Sequence, residues 1–343
     1  EGGQPVFERV YDYGLFDGSS PTLVADFLQG RMRYWVGVTT LHRTMRRYRA
    51  TNRDVAAQKL RLTQDRALEL LRKLEENIKP ENRFYRYDYY YDNCSTRVRD
   101  VIDDVTEGAV KKAFVGDASM TLREHTLRHT SSDWLYYLGL DIGLADVDRS
   151  IDLWVESFLP QNFREGLRKV QVVIDGQTVP LVEEEEVWFE STRPAVPAQP
   201  PSRVGLIALI GLGFGGLFVL FGEAARRFRF EWALVLWVSL TAFVLSFFGG
   251  LLVFLWGFTD HEVAYANENI FHLAPWGLVA PLVAVWSRRA LFWVLASAAA
   301  FSMLGLAVKV VPVFGQDTFR LIALLLPIWV GMAVSIYRSM RTR

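Results

Sequence analysis

Cys94 is the single cysteine in the chain of 343 residues, so it cannot form an internal disulfide. It follows Asn93, a residue type that caps helix N-termini, and precedes residues 95–105, whose apolar residues have helical spacing. A sulfur at the start of a helix, with Arg97 and Arg99 nearby, is favoured as the thiolate that attacks acyl carbons. The sequence therefore predicts a nucleophilic thiol, with a buried structural cysteine as the alternative.

Histidines are the next candidates for chemistry. His42 stands in a basic segment and is predicted to be a solvated helix residue. His125 and His129 are four residues apart, which would place both on one helix face. No third ligand stands near them in the sequence, so no metal site is predicted.

The polar stretch 259–269 lies between two apolar segments and contains His261, Asn267 and Asn269. One interpretation is a solvated loop at the membrane surface. The other is that His261 acts as a catalytic acid or base, while Asn267 and Asn269 help to bind a lipid headgroup. Both interpretations remain open at the level of sequence.

The elements that would position these residues fall into two halves. Residues 1–200 carry most of the charge, whereas residues 204–337 contain long apolar runs. A helix needs about 20 apolar residues to cross a bilayer. Five segments approach this length: 204–221, 232–258, 270–286, 290–311 and 319–337. Pro275 and Pro281 make the third a kinked span in preference to a re-entrant loop. The net charge of zero gives no indication of nucleic-acid binding, and none is predicted.

Basic residues predict the orientation of these segments. They follow the first and third segments and close the chain: Arg226, Arg227, Arg229, Arg288, Arg289, Arg338, Arg341 and Arg343. Positively charged connections stay cytoplasmic, so the C-terminus is predicted to be cytoplasmic and the N-terminal half extracytoplasmic. The sequence begins without methionine or a visible signal peptide, so we expect a processed or truncated start.

Residues 1–190 read as an α+β domain. Strands are predicted over residues 6–13 and 32–39, followed by a long helix over 51–78. A hairpin is predicted from 172–174 to 179–182 through Asp175-Gly176, and Glu183–Glu186 is interpreted as a solvated strand end. A proline-rich linker over 191–203 leads to the membrane domain, 204–343.

One group of residues around Cys94 carries a resemblance to a known family. The group, in order, is Tyr85, Tyr87, Asn93, Cys94, Ser95, Thr96, Arg99 and Asp100. With these residues the chain resembles the Lnb-like DUF4105 family, whose members include bacterial lipoprotein N-acyltransferases with a periplasmic domain and five membrane helices. Residues 11–16 and 157–160 fit the same pattern.

The resemblance implies a permuted papain-like (NlpC/P60-like) cysteine domain followed by a five-helix transmembrane bundle. It also implies that Tyr87, Asn93, Ser95, Thr96 and Arg99 support the site or bind substrate. The family has a histidine upstream of the cysteine. Residues 1–10 contain none, so the catalytic base is expected from residues that precede the sequence.

The predicted function is a cysteine acyltransferase of the bacterial inner membrane. Cys94 would take an acyl chain from a phospholipid or diacylglyceryl donor as a thioester and pass it to the N-terminal amine of a lipoprotein. Helix amides after Cys94 are the expected oxyanion donors, and no cofactor is required. The alternatives are a cysteine peptidase or amidase acting on cell-wall peptide and a non-enzymatic membrane scaffold.

Overall fold

The computed structural model describes residues 9–145 and 147–341. The chain forms two compact units. Unit 1 comprises residues up to 122 together with 150–195, and unit 2 comprises 123–149 together with the chain from 196 onwards. This division differs from the linear one predicted from composition, because the polar segment 123–149 belongs with the membrane helices.

The helices and strands follow one another along the chain as follows: β1 (Arg9–Leu15), α1 (Leu23–Gln29), β2 (Arg33–Thr40), α2 (Leu41–Ala50), β3 (Val55–Leu60), α3 (Gln64–Asn77), β4 (Phe84–Arg86), α4 (Cys94–Val105), α5 (Ala109–Ala113), α6 (Leu122–His129), α7 (Trp134–Gly143), α8 (Leu153–Glu156), α9 (Pro160–Leu167), β5 (Gln171–Ile174), β6 (Gln177–Pro180), β7 (Val182–Phe189), α10 (Val204–Arg227), α11 (Glu231–Phe258), α12 (Ile270–Leu273), α13 (Ala280–Trp286), α14 (Arg288–Ala307) and α15 (Phe319–Met340). Short 3-10 turns lie at Glu262–Ala264, Pro275–Val279 and Val308–Val310.

Unit 1 contains an antiparallel sheet in the order β1-β2-β4. Its strand β1 contacts helix α4, which starts at Cys94. Tyr11 pairs with Val38, and Tyr34 pairs with Tyr85. The register of β1 shifts between Asp12 and Leu15. Both strands predicted in this region are confirmed, although residues 6–8 of the first lie outside the described part of the chain.

The long helix predicted over residues 51–78 is confirmed only over its second half, Gln64–Asn77, and is wrong over its first half. Residues 55–60 form strand β3, which pairs with β7, and the helix α3 starts only after Thr63, whose hydroxyl accepts the Arg66 amide at 3.4 Å. Pairing with a distant strand outweighs the helical spacing of the apolar residues. The glutamates of 183–186 therefore belong to a paired strand, and Glu185 bonds Gln58, Arg164 and Arg168.

The predicted hairpin is confirmed as β5 and β6. Its turn residues Asp175 and Gly176 have φ values of 49° and 77°, the left-handed conformation that a two-residue hairpin turn requires. The hairpin borders the hydrophobic core of unit 1, in which Val110, Val170 and Leu181 are fully buried.

Among its described residues, unit 2 contains four helices long and apolar enough to cross a membrane: Val204–Arg227, Glu231–Phe258, Arg288–Val310 and Phe319–Met340. The third predicted segment, Ile270–Trp286, is shorter and is broken into α12, a 3-10 turn and α13. The break follows Ala274, which has φ 41° and precedes Pro275. Proline interrupts the helix because it lacks an amide hydrogen, as the kinked-span prediction assumed.

Glycines allow α10 and α15 to approach closely. A Cβ atom on Gly331 would lie 2.2 Å from the Gly215 carbonyl oxygen, and one on Gly211 would lie 2.4 Å from the Ala323 carbonyl oxygen. Small residues at such an interface let membrane helices pack backbone to backbone.

Candidate functional site

Cys94 is the first residue of α4, as the sequence predicts, and Asn93 is its N-cap. The Asn93 side-chain oxygen accepts the amides of Ser95 and Thr96 at 2.7 and 3.0 Å, and the Thr96 hydroxyl accepts the Asn93 amide at 2.8 Å. This reciprocal capping box orients the first turn of the helix and therefore holds the Cys94 side chain in place.

The cap is also tied to the segment before α9. The Asn93 side-chain nitrogen donates to the carbonyls of Tyr89 at 2.8 Å and Phe158 at 3.0 Å. The Ser95 hydroxyl donates to the Ser157 carbonyl at 2.8 Å. Asn93, Ser95 and Thr96 are buried, so they position Cys94 from below the surface.

The two arginines of this helix bind other groups. Arg97 pairs with Asp92 and lies over the Tyr85 ring at 4.5 Å. Arg99 donates to the Trp154 carbonyl at 2.8 Å, stacks on the Trp154 ring at 3.8 Å and pairs with Asp100. Arg99 thus anchors α4 to α8.

Burial raises the pKa of the Cys94 thiol, and the Asp12 carboxylate raises it further. The amides of Cys94 and Ser95 lower the pKa without reversing the shift. The expectation of a resting thiolate is therefore wrong, because desolvation outweighs the helix terminus. A base must take the proton when the thiol reacts.

Asp12 and Gly14 of β1 adjoin the thiol, a contact that sequence reasoning missed. A Cβ atom on Gly14 would lie 3.6 Å from both the Cys94 Cβ and the Asp12 Oδ1. Asp12 accepts the Gly14 amide through Oδ1 at 3.0 Å and Arg47 through Oδ2 at 2.7 Å. Residues 11–16 were noted for the family resemblance, but only the folded sheet brings them to Cys94.

Three tyrosines of β2 and of the segment before α4 interact electrostatically with this thiol. Burial raises the pKa of Tyr34, Tyr85 and Tyr87, and negative charge on Cys94 would raise each pKa further. The rings of Tyr34 and Tyr87 stack at 4.1 Å. Tyr85 donates its hydroxyl to the Tyr13 carbonyl. Tyr87 was among the predicted site residues, whereas Tyr34 was not, because it lies on the neighbouring strand.

His261 belongs to unit 2, where it precedes the 3-10 turn Glu262–Ala264. It is partly buried, and its backbone amide donates to the Thr259 hydroxyl at 3.3 Å. Of the other histidines, His42 is exposed on α2, as predicted. Among the described residues, no group of three or more His, Cys, Asp or Glu side chains is arranged to hold a metal ion.

Asn267 and Asn269 are buried and cap the C-terminus of α7. Asn267 donates to the carbonyls of Ile142 and Gly143 at 2.9 and 3.0 Å, and Asn269 donates to those of Asp141 and Ile142 at 3.1 and 3.0 Å. The last carbonyls of a helix have no partner within the helix, so these amides satisfy them. The geometry gives both asparagines a structural role, and the contact with a headgroup stays a prediction.

Comparison with known proteins identifies the N-terminal part of the chain. Residues 7–128 match the family model described as the Lnb N-terminal periplasmic domain. No curated protein and no solved structure shows a significant match. The matched region includes Asp12, Tyr34 and the Asn93–Cys94 helix start. Together with the four apolar helices, the match supports an Lnb-like protein of the inner membrane whose N-terminal domain is periplasmic.

Proposed function

We propose that the chain is a cysteine acyltransferase that moves an acyl chain from a membrane lipid to the N-terminal amine of lipoproteins. The observation that carries the proposal is the placement of Cys94. It starts a firmly capped helix beside Asp12 and three tyrosines, in an Lnb-type domain whose chain continues into membrane helices.

The reaction has two transfer steps. A base removes the thiol proton, the sulfur attacks the ester carbonyl of the lipid, and the C–O bond breaks as the lyso-lipid alcohol leaves with a proton. The lipoprotein amine then attacks the thioester carbonyl, loses a proton to the base, and the C–S bond breaks to restore the thiol. The product is an amide, and no oxidant or cofactor enters either step.

The raised pKa of Cys94 makes the base essential. We propose His261 for this acid–base role, and His261→Ala, which should reduce turnover without reducing the amount of protein, tests it. The charge of Asp12 raises the pKa of the thiol, but its oxygens are held by Arg47 and Gly14, which suits a positioning role.

Fewer backbone amides of α4 can donate to an oxyanion than the sequence predicts. The Ser95 and Thr96 amides donate to Asn93, so the Cys94 amide remains as the helix donor for a tetrahedral intermediate. The Tyr87 hydroxyl, whose pKa is sensitive to charge on Cys94, is a second proposed donor. A helix that starts with a cysteine and contacts β1 of an antiparallel sheet supports a permuted papain-like assignment for unit 1.

We also propose that the C-terminus is cytoplasmic. Arg288 bonds Glu231, so the N-terminal ends of α11 and α14 lie on the same side of the membrane, and the basic connections assign that side to the cytoplasm. Arg343, part of the same prediction, lies outside the described residues. Cysteine introduced at residue 288 in a Cys94→Ala background should resist an impermeant external maleimide, whereas cysteine at residue 262 should react. Labelling at residue 288 in intact cells would refute this orientation.

The decisive test of function is the Cys94→Ala variant. In a strain without other N-acylating enzymes, mass spectrometry of lipoprotein N-terminal peptides should show free amines, while the amount of the variant in the membrane stays normal. Retained N-acylation would refute covalent catalysis. A cysteine amidase would instead show thiol-dependent cleavage of cell-wall peptide, and a scaffold would function equally well with Cys94→Ser.

A further inference from the structure

Helix α2 forms a strongly basic wall of a groove in unit 1. The helix contains Arg43, Arg46, Arg47 and Arg49 and no acidic residue. The groove between this helix and strands β1 and β2 has a volume of about 510 Å³. Its lining includes Asp12, Val38, Arg43, Thr44, Arg46 and Arg47.

Three guanidinium groups face one carboxylate in this groove. Arg47 is paired with Asp12 at 2.7 Å, whereas Arg43 and Arg46 form no ion pair within the described residues. The Thr44 hydroxyl is buried and has no hydrogen-bond partner among the described groups. Excess guanidinium charge and an unused hydroxyl are complementary to phosphate oxygens, which accept charge-assisted hydrogen bonds from arginine.

The groove borders the thiol through one shared residue. Asp12 lines the groove, binds Arg47 through one oxygen and binds the amide of Gly14 through the other. Gly14 in turn lies against the Cys94 Cβ. Val38, which is 45% exposed, adds an apolar surface to the groove. Asp12 thus links the groove to the neighbourhood of Cys94, toward which the glycerol esters of a bound amphiphile would have to extend.

We propose that this α2 arginine groove binds the phosphate of a glycerophospholipid and selects it as acyl donor over a neutral diacylglyceryl lipid. The inference rests on the proposed acyl transfer and specifies its substrate class. The headgroup is bound by Arg43, Arg46 and Thr44. The Asp12–Arg47 pair lies between this headgroup site and the thiol.

Binding can be measured without turnover on the full chain carrying Cys94→Ala, purified in a neutral detergent. The probes are dihexanoyl phosphatidylglycerol, dihexanoylglycerol and inorganic phosphate, titrated by calorimetry. We expect saturable binding of the phospholipid, and weakening by at least about tenfold in R43Q/R46Q, because two charge-assisted hydrogen bonds are lost. Thr44→Val should weaken binding by roughly threefold as one neutral hydrogen bond is lost. The matched control R53Q/R72Q removes two exposed arginines elsewhere in unit 1 and should bind normally.

Several outcomes would overturn the assignment: equal phospholipid affinity in R43Q/R46Q, equal affinity for dihexanoylglycerol, or inorganic phosphate binding as tightly as the phospholipid, which would indicate a free-phosphate site. The chain with Cys94 intact separates this inference from the proposed function. If phospholipid binding depends on the arginines but no thioester forms, the acyl-transfer proposal is refuted and phospholipid binding by the groove is supported. If R43Q/R46Q transfers acyl chains from phospholipid with an unchanged KM, headgroup binding by the groove is refuted and the proposed acyl transfer is supported.

Discussion

The Asp12 carboxylate raises the pKa of the Cys94 thiol, although the two residues lie on different elements, strand β1 and helix α4. Arg47 holds Asp12 from the side opposite Gly14 and partly neutralises it. The thiol is therefore kept protonated mainly by burial and, to a smaller extent, by the negative charge of Asp12. This arrangement protects an unpaired cysteine from adventitious reaction until substrate and base are both present.

We predict that the alkylation rate of Cys94 in the full chain rises with an apparent midpoint above the ordinary thiol value of about 8.5. Asp12→Asn should lower this midpoint, because removing a nearby negative charge makes the thiolate less costly. The measurement is the rate of iodoacetamide labelling between pH 6 and pH 11, limits chosen to bracket roughly the ordinary value.

Asp17→Asn is the matched control, since Asp17 is exposed in the same unit and does not influence the thiol. A midpoint below the ordinary thiol value in the unmodified chain would contradict the balance of burial over helix amides described above.

Asn93→Ala should loosen the start of α4. Loss of an N-cap side chain costs about 1 kcal/mol, and the bonds to the Tyr89 and Phe158 carbonyls are lost as well. Hydrogen-exchange mass spectrometry of the peptide that contains Cys94 should show faster exchange of the first helical amides. Asn93→Asp keeps the capping oxygen and loses only the two donated bonds, so it should retain most of the protection. Equal exchange in Asn93→Ala and the unmodified chain would show that the cap does not hold the helix start.

Asp141→Asn should strongly destabilise unit 2. Asp141 accepts Arg320 at 2.7 Å and Arg123 at 3.2 Å, and all three side chains are buried or nearly so. Removing one partner of a buried ion pair costs about 3–5 kcal/mol. Arg123 keeps Asp148 and Arg320 keeps Asp317 as counter-charges, so we expect a loss at the lower end of this range. The readout is the thermal unfolding midpoint in detergent, together with the amount of protein in the membrane.

Asp317→Asn is the control for the same cluster. Asp317 also pairs with Arg320, at 2.9 Å, but its side chain is 36% exposed, so water can replace the lost partner. Its unfolding midpoint should change much less than that of Asp141→Asn. Equal shifts in the two variants would mean that the buried position of Asp141 is not what stabilises the unit.

Helix α7 should contact lipid. Leu135 and Tyr136 are 83% and 66% exposed. The Arg203 guanidinium, from the residue directly before α10, lies 4.1 Å from the centre of the Trp134 ring. Exposed apolar and aromatic side chains beside a spanning helix are typical of the membrane interface. A nitroxide at residue 135 in a Cys94→Ala background should be relaxed more by oxygen than by a water-soluble nickel complex.

Two other exposed apolar positions calibrate that measurement. Leu209 on α10 gives the lipid reference, and Val115 in unit 1 gives the aqueous reference. If the label at residue 135 is as accessible to nickel as the label at residue 115, α7 does not enter the lipid.

Several features of this protein follow from its sequence alone, because they depend on neighbours along the chain. The Asn93 oxygen reaches amides two and three residues away, so the capped start of α4 is predictable. Asp175-Gly176 supplies the left-handed turn of the β5–β6 hairpin in the same way. The four spanning helices follow from the free energy of transferring continuous apolar runs into lipid, which needs no tertiary contact.

Tertiary structure decided the rest, because those features depend on segments that meet only after folding. Residues 55–60 become a strand because β7 pairs with them. Residues 123–149 join the membrane unit because Asp141 forms an ion pair with Arg320, and because Asn267 and Asn269 cap α7. Asp12 comes near Cys94 because β1 packs against α4, and burial there reverses the pKa shift expected from the helix terminus alone. Local hydrogen bonding therefore placed the thiol, whereas long-range packing determined its surroundings and its protonation state.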